Sequence, residues 1–255
     1  MNKIIKEELF DGQVIRFTLN APKANVLDAE MMEQLQSGLG EISTNVKLIQ
    51  LTGTGEHFSF GASVTEHTKE NAPKMLRQFH SLFKTMINLS IPTMAMVSGQ
   101  CLGGGLELAI FCNFLFLDET ARMGQPEIML GVFAPPASLI LPMKVGQAKA
   151  DDLLLTGRSM KPKEVMSSGL GTQLFEDNQS MIKGADSWVE KHILPKSASS
   201  LRFSNSAART IFHETLKEKL DKLAEFYTNE LMETRDANEG INSFLEKRKP
   251  RWKNK

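Results

Sequence analysis

Val97-Ser-Gly-Gln-Cys-Leu-Gly-Gly-Gly-Leu-Glu107 is the stretch around which the chain is organised, and Met123-Gly-Gln-Pro-Glu127 echoes it. The apolar run from Thr93 to Val97 predicts a strand, Gly103-Gly104-Gly105 a turn, and Leu106 to Cys112 a short apolar helix with Glu107 in its first turn. The first N–H groups of a helix lack intrahelical partners and carry the positive end of its dipole. Glycines there let a ligand oxygen approach those groups closely. A carboxylate one turn further on suggests acid–base chemistry beside an oxyanion hole. Glu127 supplies a second carboxylate. Each half has a plainer reading, a tight corner for the glycines and a dipole partner for the glutamate. Their order and spacing together are much more specific.

The remainder of the chain predicts an α/β fold. Ile4-Ile5 and Leu9-Phe10 lead into an Asp11-Gly12 turn, and Val14 to Leu19 alternates as a half-buried strand does, so residues 3–19 predict a hairpin. Asp28 is placed to cap a helix whose Met31, Leu35 and Leu39 face inward. Lys47 to Leu51 predicts a buried strand, and residues 73–89 an amphipathic helix ended by Ser90-Ile-Pro92. Phe114 to Asp118, Ala121 to Met123 and Thr172 to Phe175 complete the strands. After Gly146 helices dominate: 148–155, 162–168, 181–194, 198–212, 214–232 and 238–245. A composition shift divides residues 1–195 from a helical region, 196–255, which either covers the core or joins subunits.

Thirty basic and thirty acidic residues leave no net charge, so neither nucleic acid nor an anionic membrane is expected as the main partner. Cys101 and Cys112 lie in the apolar centre and read as free buried thiols, with no zinc-type spacing. Met1 to Glu8 has no apolar signal core and no run approaches membrane-spanning length, so a cytoplasmic protein is expected. His80 reads as a packing histidine with its hydrogen bonds met. Glu66 and His67 lie close enough after Phe58–Ser63 to be candidates for substrate contact.

The two glutamate segments resemble the crotonase (enoyl-CoA hydratase/isomerase) superfamily, and the resemblance runs from Val14 to Trp252. It implies a spiral of ββα turns with a C-terminal helical trimerisation region, assembled as a homotrimer or homohexamer. It implies an acyl-CoA thioester substrate, with coenzyme A part of that substrate and no other cofactor or metal. Ala62, in Phe58-Ser-Phe-Gly-Ala-Ser63, and Gly104 become the oxyanion donors. Glu107 activates water and Glu127 delivers a proton to carbon. Lys23, Ala24, Phe60 and Lys247 fall where the family binds coenzyme A.

Two departures bear on substrate. Ser63 and Thr65 replace an acid and a lysine, and Phe133-Ala-Pro-Pro replaces a glycine-rich loop at the acyl pocket. Phe133, Pro135, Pro136, Met123 and Met129 are then candidates to line a wide, flat pocket. Within the superfamily these segments are similar to the branch that hydrates cyclic dienoyl-CoA thioesters. An open-chain enoyl-CoA hydratase is the nearest alternative, and a non-catalytic acyl-CoA- or RNA-binding relative the alternative of another class.

Overall fold

A computed structural model describes residues 2–21 and 23–255. β1 (Ile4–Leu9) and β2 (Val14–Leu19) form the expected antiparallel hairpin, with positive φ at Phe10, Asp11 and Gly12. The Asp28 carboxylate caps α1 (Ala29–Gly40) by accepting from the Met31 N–H at 3.0 Å, and Met31, Leu35 and Leu39 are buried as their spacing predicts. β3 (Leu48–Gly53) pairs parallel with β2, so β2 is interior and almost wholly buried rather than half-buried. α2 (Ala72–Leu89) stops at Ser90, which adopts the left-handed conformation two residues before Pro92.

The next segments show the repeating unit. β4 (Thr93–Val97) joins the main sheet, β5 (Gln100–Leu102) starts a second one, and α3 (Gly104–Phe111) packs behind. β6 (Phe114–Asp118) and β7 (Arg122–Gly124) repeat the pair, followed by a short 3-10 turn at Pro126–Leu130. α4 (Pro135–Val145), α5 (Gln147–Thr156), β8 (Ser159–Met160), α6 (Pro162–Ser167), β9 (Gln173–Phe175) and α7 (Asn178–His192) continue the spiral. The main sheet runs β1-β2-β3-β4-β6-β9, parallel after the hairpin, and the second runs β5-β7-β8. Isolated bridges extend the second sheet backwards, pairing Ser59 with Cys101 and Leu27 with Ala62. Successive turns therefore stack Ser59, Cys101, Met123 and Met160 in one line. That stacking brings the ends of different turns together.

The two-residue period of the strands divides the core. Ile15, Phe17, Leu19, Ala95 and Val97 face the main core, while Val14, Leu48, Met94, Met96 and Phe116 face α7. Arg16 also points to that side, donating to Gln50 at 2.8 Å and to Asp186 of α7 at 2.6 Å.

α8 (Ala198–Ala208), α9 (Thr210–Asn229) and α10 (Arg235–Leu245) complete the chain. Leu216, Leu220, Tyr227, Met232 and Ile241 are buried in the same core as α1–α4, so residues 196–255 share that core. The helix expected over 198–212 breaks at Arg209, whose guanidinium donates to the Phe111 carbonyl at 2.6 Å and lies 4.1 Å from the Phe212 ring centroid. The loop expected over 133–138 instead starts α4, because prolines suit the first helical positions, where no backbone N–H is needed. Both cysteines are buried and free. Among the described residues no helix is long and apolar enough to cross a membrane, and no cluster of three or more His, Cys, Asp or Glu could hold a metal.

Candidate active site

Two stacked turns bring their backbone amides to one point. The segment after β3 lies along β5, with Ser59 donating to the Gln100 carbonyl at 3.0 Å and accepting from Leu102 at 2.9 Å. The Ser59 hydroxyl locks the next bend, accepting from the Gly61 N–H at 3.0 Å and donating to the Asn25 carbonyl at 2.7 Å. Gly61 has φ of 95°, and a Cβ there would lie 2.7 Å from the Leu102 carbonyl oxygen and 3.1 Å from the Gly104 nitrogen. A Cβ on Gly104 would lie 3.3 Å from the Ala62 nitrogen. Ala62 and Gly104 thus meet across a gap only glycines allow, and neither N–H donates to an acceptor among the described residues.

Glu107 follows one turn into α3 and is 4% exposed. Its Oε1 accepts from the Ala137 N–H at 2.8 Å. Pro135 and Pro136 open α4 without N–H groups, so Ala137 is the first of that helix able to donate, at the positive end of the dipole. Glu127 comes from the 3-10 turn after β7. The residue as a whole is only partly buried, but its Oε2 is buried and has no partner among the described residues. Gly103 permits this approach: at φ of 53°, a Cβ there would lie 2.5 Å from Glu127 Oε1.

Both carboxyls wall one enclosed cavity of about 20 Å³, together with Ala62, Gly104, Phe133 and Tyr227. Burial and then the charge of Glu127 push the Glu107 carboxyl well above the usual carboxylate range, against the Ala137 hydrogen bond. Burial likewise lifts Glu127 to about 7. Two such groups side by side titrate as a unit, and burial favours a proton kept on the pair.

A larger cleft of about 600 Å³ adjoins this cavity, sharing Ala62, His67 and Glu127 as lining. Ala24 and Phe60 line this cleft, whereas Lys23 and Lys247 do not. Arg248 is the basic residue facing it, paired with Glu239 and Glu246, because Lys247 takes a positive φ of 54° and turns the chain. Phe133 and Pro135 wall the glutamate cavity, but Met129 is 64% exposed and lines only the outer cleft. Met123 is fully buried in the core. Together these residues do not form the wide, flat pocket that the sequence suggests.

His67 lines both spaces, with Nδ1 2.8 Å from the Ser63 carbonyl oxygen. Burial lowers its pKa despite that bond, so near neutrality the ring is neutral, carries its proton on Nδ1 and leaves Nε2 as an acceptor. Neither ring nitrogen of His80 has a partner among the described residues, so it packs without the hydrogen bonds expected of it. The sequence reading missed Ala137 and Tyr227. The one available signal for Tyr227 is that it is the only tyrosine, set among apolar helix positions.

Residues 10–255 match the enoyl-CoA hydratase/isomerase family. A cyclohexa-1,5-dienecarbonyl-CoA hydratase of Thauera aromatica is 45% identical over 247 residues, covering 96% of this chain and 95% of that protein. A probable enoyl-CoA hydratase of Bacillus subtilis (strain 168) is 32% identical over 255 residues, covering 95% of this chain and 96% of that one. The fold is similar to the crystal structure of an enoyl-CoA hydratase from Mycobacterium avium subsp. paratuberculosis K-10, with a TM-score of 0.85 at 20% identity and 99% of each chain covered.

Proposed function

The chain belongs to the enoyl-CoA hydratase/isomerase family, and from that premise we propose that it hydrates an alicyclic dienoyl-CoA thioester. The substrate is cyclohexa-1,5-diene-1-carbonyl-CoA and the product 6-hydroxycyclohex-1-ene-1-carbonyl-CoA, a step of anaerobic aromatic degradation. The observation that carries the chemistry is the buried Glu107–Glu127 pair facing the unpaired N–H groups of Ala62 and Gly104. The 45% identity to the Thauera aromatica hydratase supports the ring substrate.

In this reading the thioester oxygen sits on the Ala62 and Gly104 amides. Glu107 takes a proton from water as its oxygen bonds to C2, the β-carbon, and the displaced electron pair runs through C1 onto the thioester oxygen. Ala62 and Gly104 stabilise that dienolate, each donor lowering the barrier by about 3–4 kcal/mol. The electrons then return to form a C1=C6 bond while C5 takes a proton from Glu127, so the old C5=C6 bond is lost. One proton enters the pair and one leaves it, and water is added across para positions. The pair must hold a single proton at the start, on Glu127 in this reading, and the burial that raises both carboxyls favours a retained proton. The cleft beside Ala24, Phe60 and Arg248 takes the coenzyme A arm, which the substrate itself brings, and no other cofactor or metal is needed. Exposed Phe203 and Ile211 on α8 and α9 are suited to subunit contacts in a homotrimer or homohexamer in the cytoplasm.

One observation favours an open-chain acyl group instead. A cavity of about 20 Å³ is far below the ~150 Å³ that holds a benzene ring, so a ring has to extend into the adjoining cleft or open the wall at Phe133. Incubation with cyclohexa-1,5-diene-1-carbonyl-CoA and separately with crotonyl-CoA, followed by liquid chromatography and mass spectrometry, separates the readings. A water adduct from the diene, lost in Glu127→Gln, is the expected result. Adduct from crotonyl-CoA alone assigns an open-chain hydratase.

A further inference from the structure

Tyr227 brings a third polar group into the glutamate cavity. It reaches the cavity from the last turn of α9, 1% exposed, and its hydroxyl has no partner among the described residues. Phe133 fixes its ring edge-on, with centroids 5.4 Å apart and planes at 65°. Glu127 Oε2 is likewise buried and unpaired on the same space. Buried hydroxyls and carboxyls of native proteins are almost always hydrogen-bonded, to protein or to water. The cavity, at about 20 Å³, exceeds the ~10–15 Å³ that one water needs, and it offers that water the two to four polar partners it requires.

We propose that the Tyr227 hydroxyl completes the site of the water added to the substrate, accepting a hydrogen bond from the water that Glu107 deprotonates and donating one to Glu127. The proposal rests on the hydratase reading and deepens it. A hydrocarbon ring brings no polar atom to Tyr227, and the thioester oxygen belongs to Ala62 and Gly104. The reacting oxygen is the partner left. One water proton goes to the carboxylate that removes it, the other is donated to the phenol oxygen, and the phenol proton turns to Glu127. A lone pair of the water then remains free for carbon. In the step itself the water O–H breaks towards the carboxylate and the O–C bond forms, while Tyr227 transfers no proton. Burial and the two carboxylates raise the phenol pKa, in keeping with a group that stays protonated throughout.

Tyr227→Phe removes the hydroxyl and keeps the ring against Phe133. For whichever enoyl-CoA the wild type hydrates, kcat should fall about 10- to 100-fold, the range of a hydrogen bond to a group gaining charge. KM should stay within about twofold, and the melting temperature should not fall. In a high-resolution crystal structure of the wild-type protein, a water should lie within hydrogen-bonding distance of the phenol oxygen and the Glu107 carboxylate, and in the variant it should be lost or displaced. An unchanged kcat in a folded variant overturns the proposal. So does a raised KM with unchanged kcat, which would place the hydroxyl on the acyl group. If the wild type hydrates no CoA thioester, the hydratase reading fails, while the crystallographic water still decides whether Tyr227 binds one. Wild-type density without that water refutes the site whether or not Tyr227→Phe folds.

Discussion

Glu127→Gln should make the protein more stable above neutral pH, while abolishing the chemistry proposed for Glu127. Burial lifts this carboxyl from its ordinary 4.5 to about 7. At about 1.4 kcal/mol per pKa unit, holding it ionised in the folded chain costs about 3 kcal/mol relative to the unfolded one. The direction follows from which state keeps its proton. Below pH 4.5 both states are protonated and nothing is lost. Between pH 4.5 and 7 the unfolded chain ionises freely while the folded one does not, so stability declines. Above about pH 7 the loss is complete. Glutamine has no charge to bury, and its presence also removes part of what raises Glu107.

The variant should therefore exceed wild type by up to about 3 kcal/mol at pH 8.5, and by less than about 1 kcal/mol at pH 5. For a chain of this length that is a rise in melting temperature of roughly 6–12 °C at the higher pH. Urea unfolding at both pH values, at one protein concentration so that any assembly contributes equally, measures the difference. A gain of the same size at pH 5 and 8.5 would assign the effect to packing. A loss at pH 8.5 would refute the reasoning, because the buried charge would then be stabilised by groups absent from this account.

Three further outcomes follow from the site. Initial hydration rates should trace a bell centred near neutrality, rising as the first proton leaves the Glu107–Glu127 pair and falling as the second leaves; a plateau to pH 10 would count against a shared proton. Gly103→Ala places a Cβ 2.5 Å from Glu127 Oε1 in a left-handed position, and kcat should drop about 100-fold, as for a catalytic group displaced by an ångström; steady-state kinetics with a melting curve separates this from unfolding. Arg248→Ala should raise KM for the CoA thioester about two- to fivefold, the range of an exposed ion pair, and Lys247→Ala should do less, since only Arg248 lines the cleft; the reverse order would restore Lys247.

Signals carried by neighbouring residues were legible in the sequence. The Asp11-Gly12 hairpin, the Asp28 cap and the stop at Ser90-Ile-Pro92 depend on short-range geometry and occur where the pattern puts them. Glu107 and Glu127 could be picked out from the order and spacing of the Gly103–Glu107 and Met123–Glu127 segments, and the structure places both on one cavity. Contacts made by distant segments were not legible. Ala137 reaches Glu107 from thirty residues away, and its role depends on Pro135-Pro136 opening a helix, which the same residues disguise as a loop. Arg248 and Lys247 differ only in which way one positive φ turns the chain. The burial of β2 on both faces depends on α7, far along the chain.

Chemistry and selectivity are carried by different parts of this fold. Ala62, Gly104, Glu107 and Glu127 come from three successive turns of the spiral, and the ladders joining Ser59 to Cys101 and Gln100 to Arg122 hold those turns in register. A register is a backbone property, insensitive to most side-chain exchange, so the oxyanion donors and the carboxylates move as a block. The walls obey no such constraint. Phe133 and Pro135 enter where α4 replaces a simple turn, and Tyr227 descends from α9, outside the repeating unit. Exchanging Phe133 or Pro135 would alter the space beside the glutamates without disturbing a ladder hydrogen bond of the two sheets. On the proposed mechanism, ring and chain substrates would present one reacting centre to the same four residues, and the choice between them would fall to Phe133 and Pro135, with Tyr227 serving the water in either case.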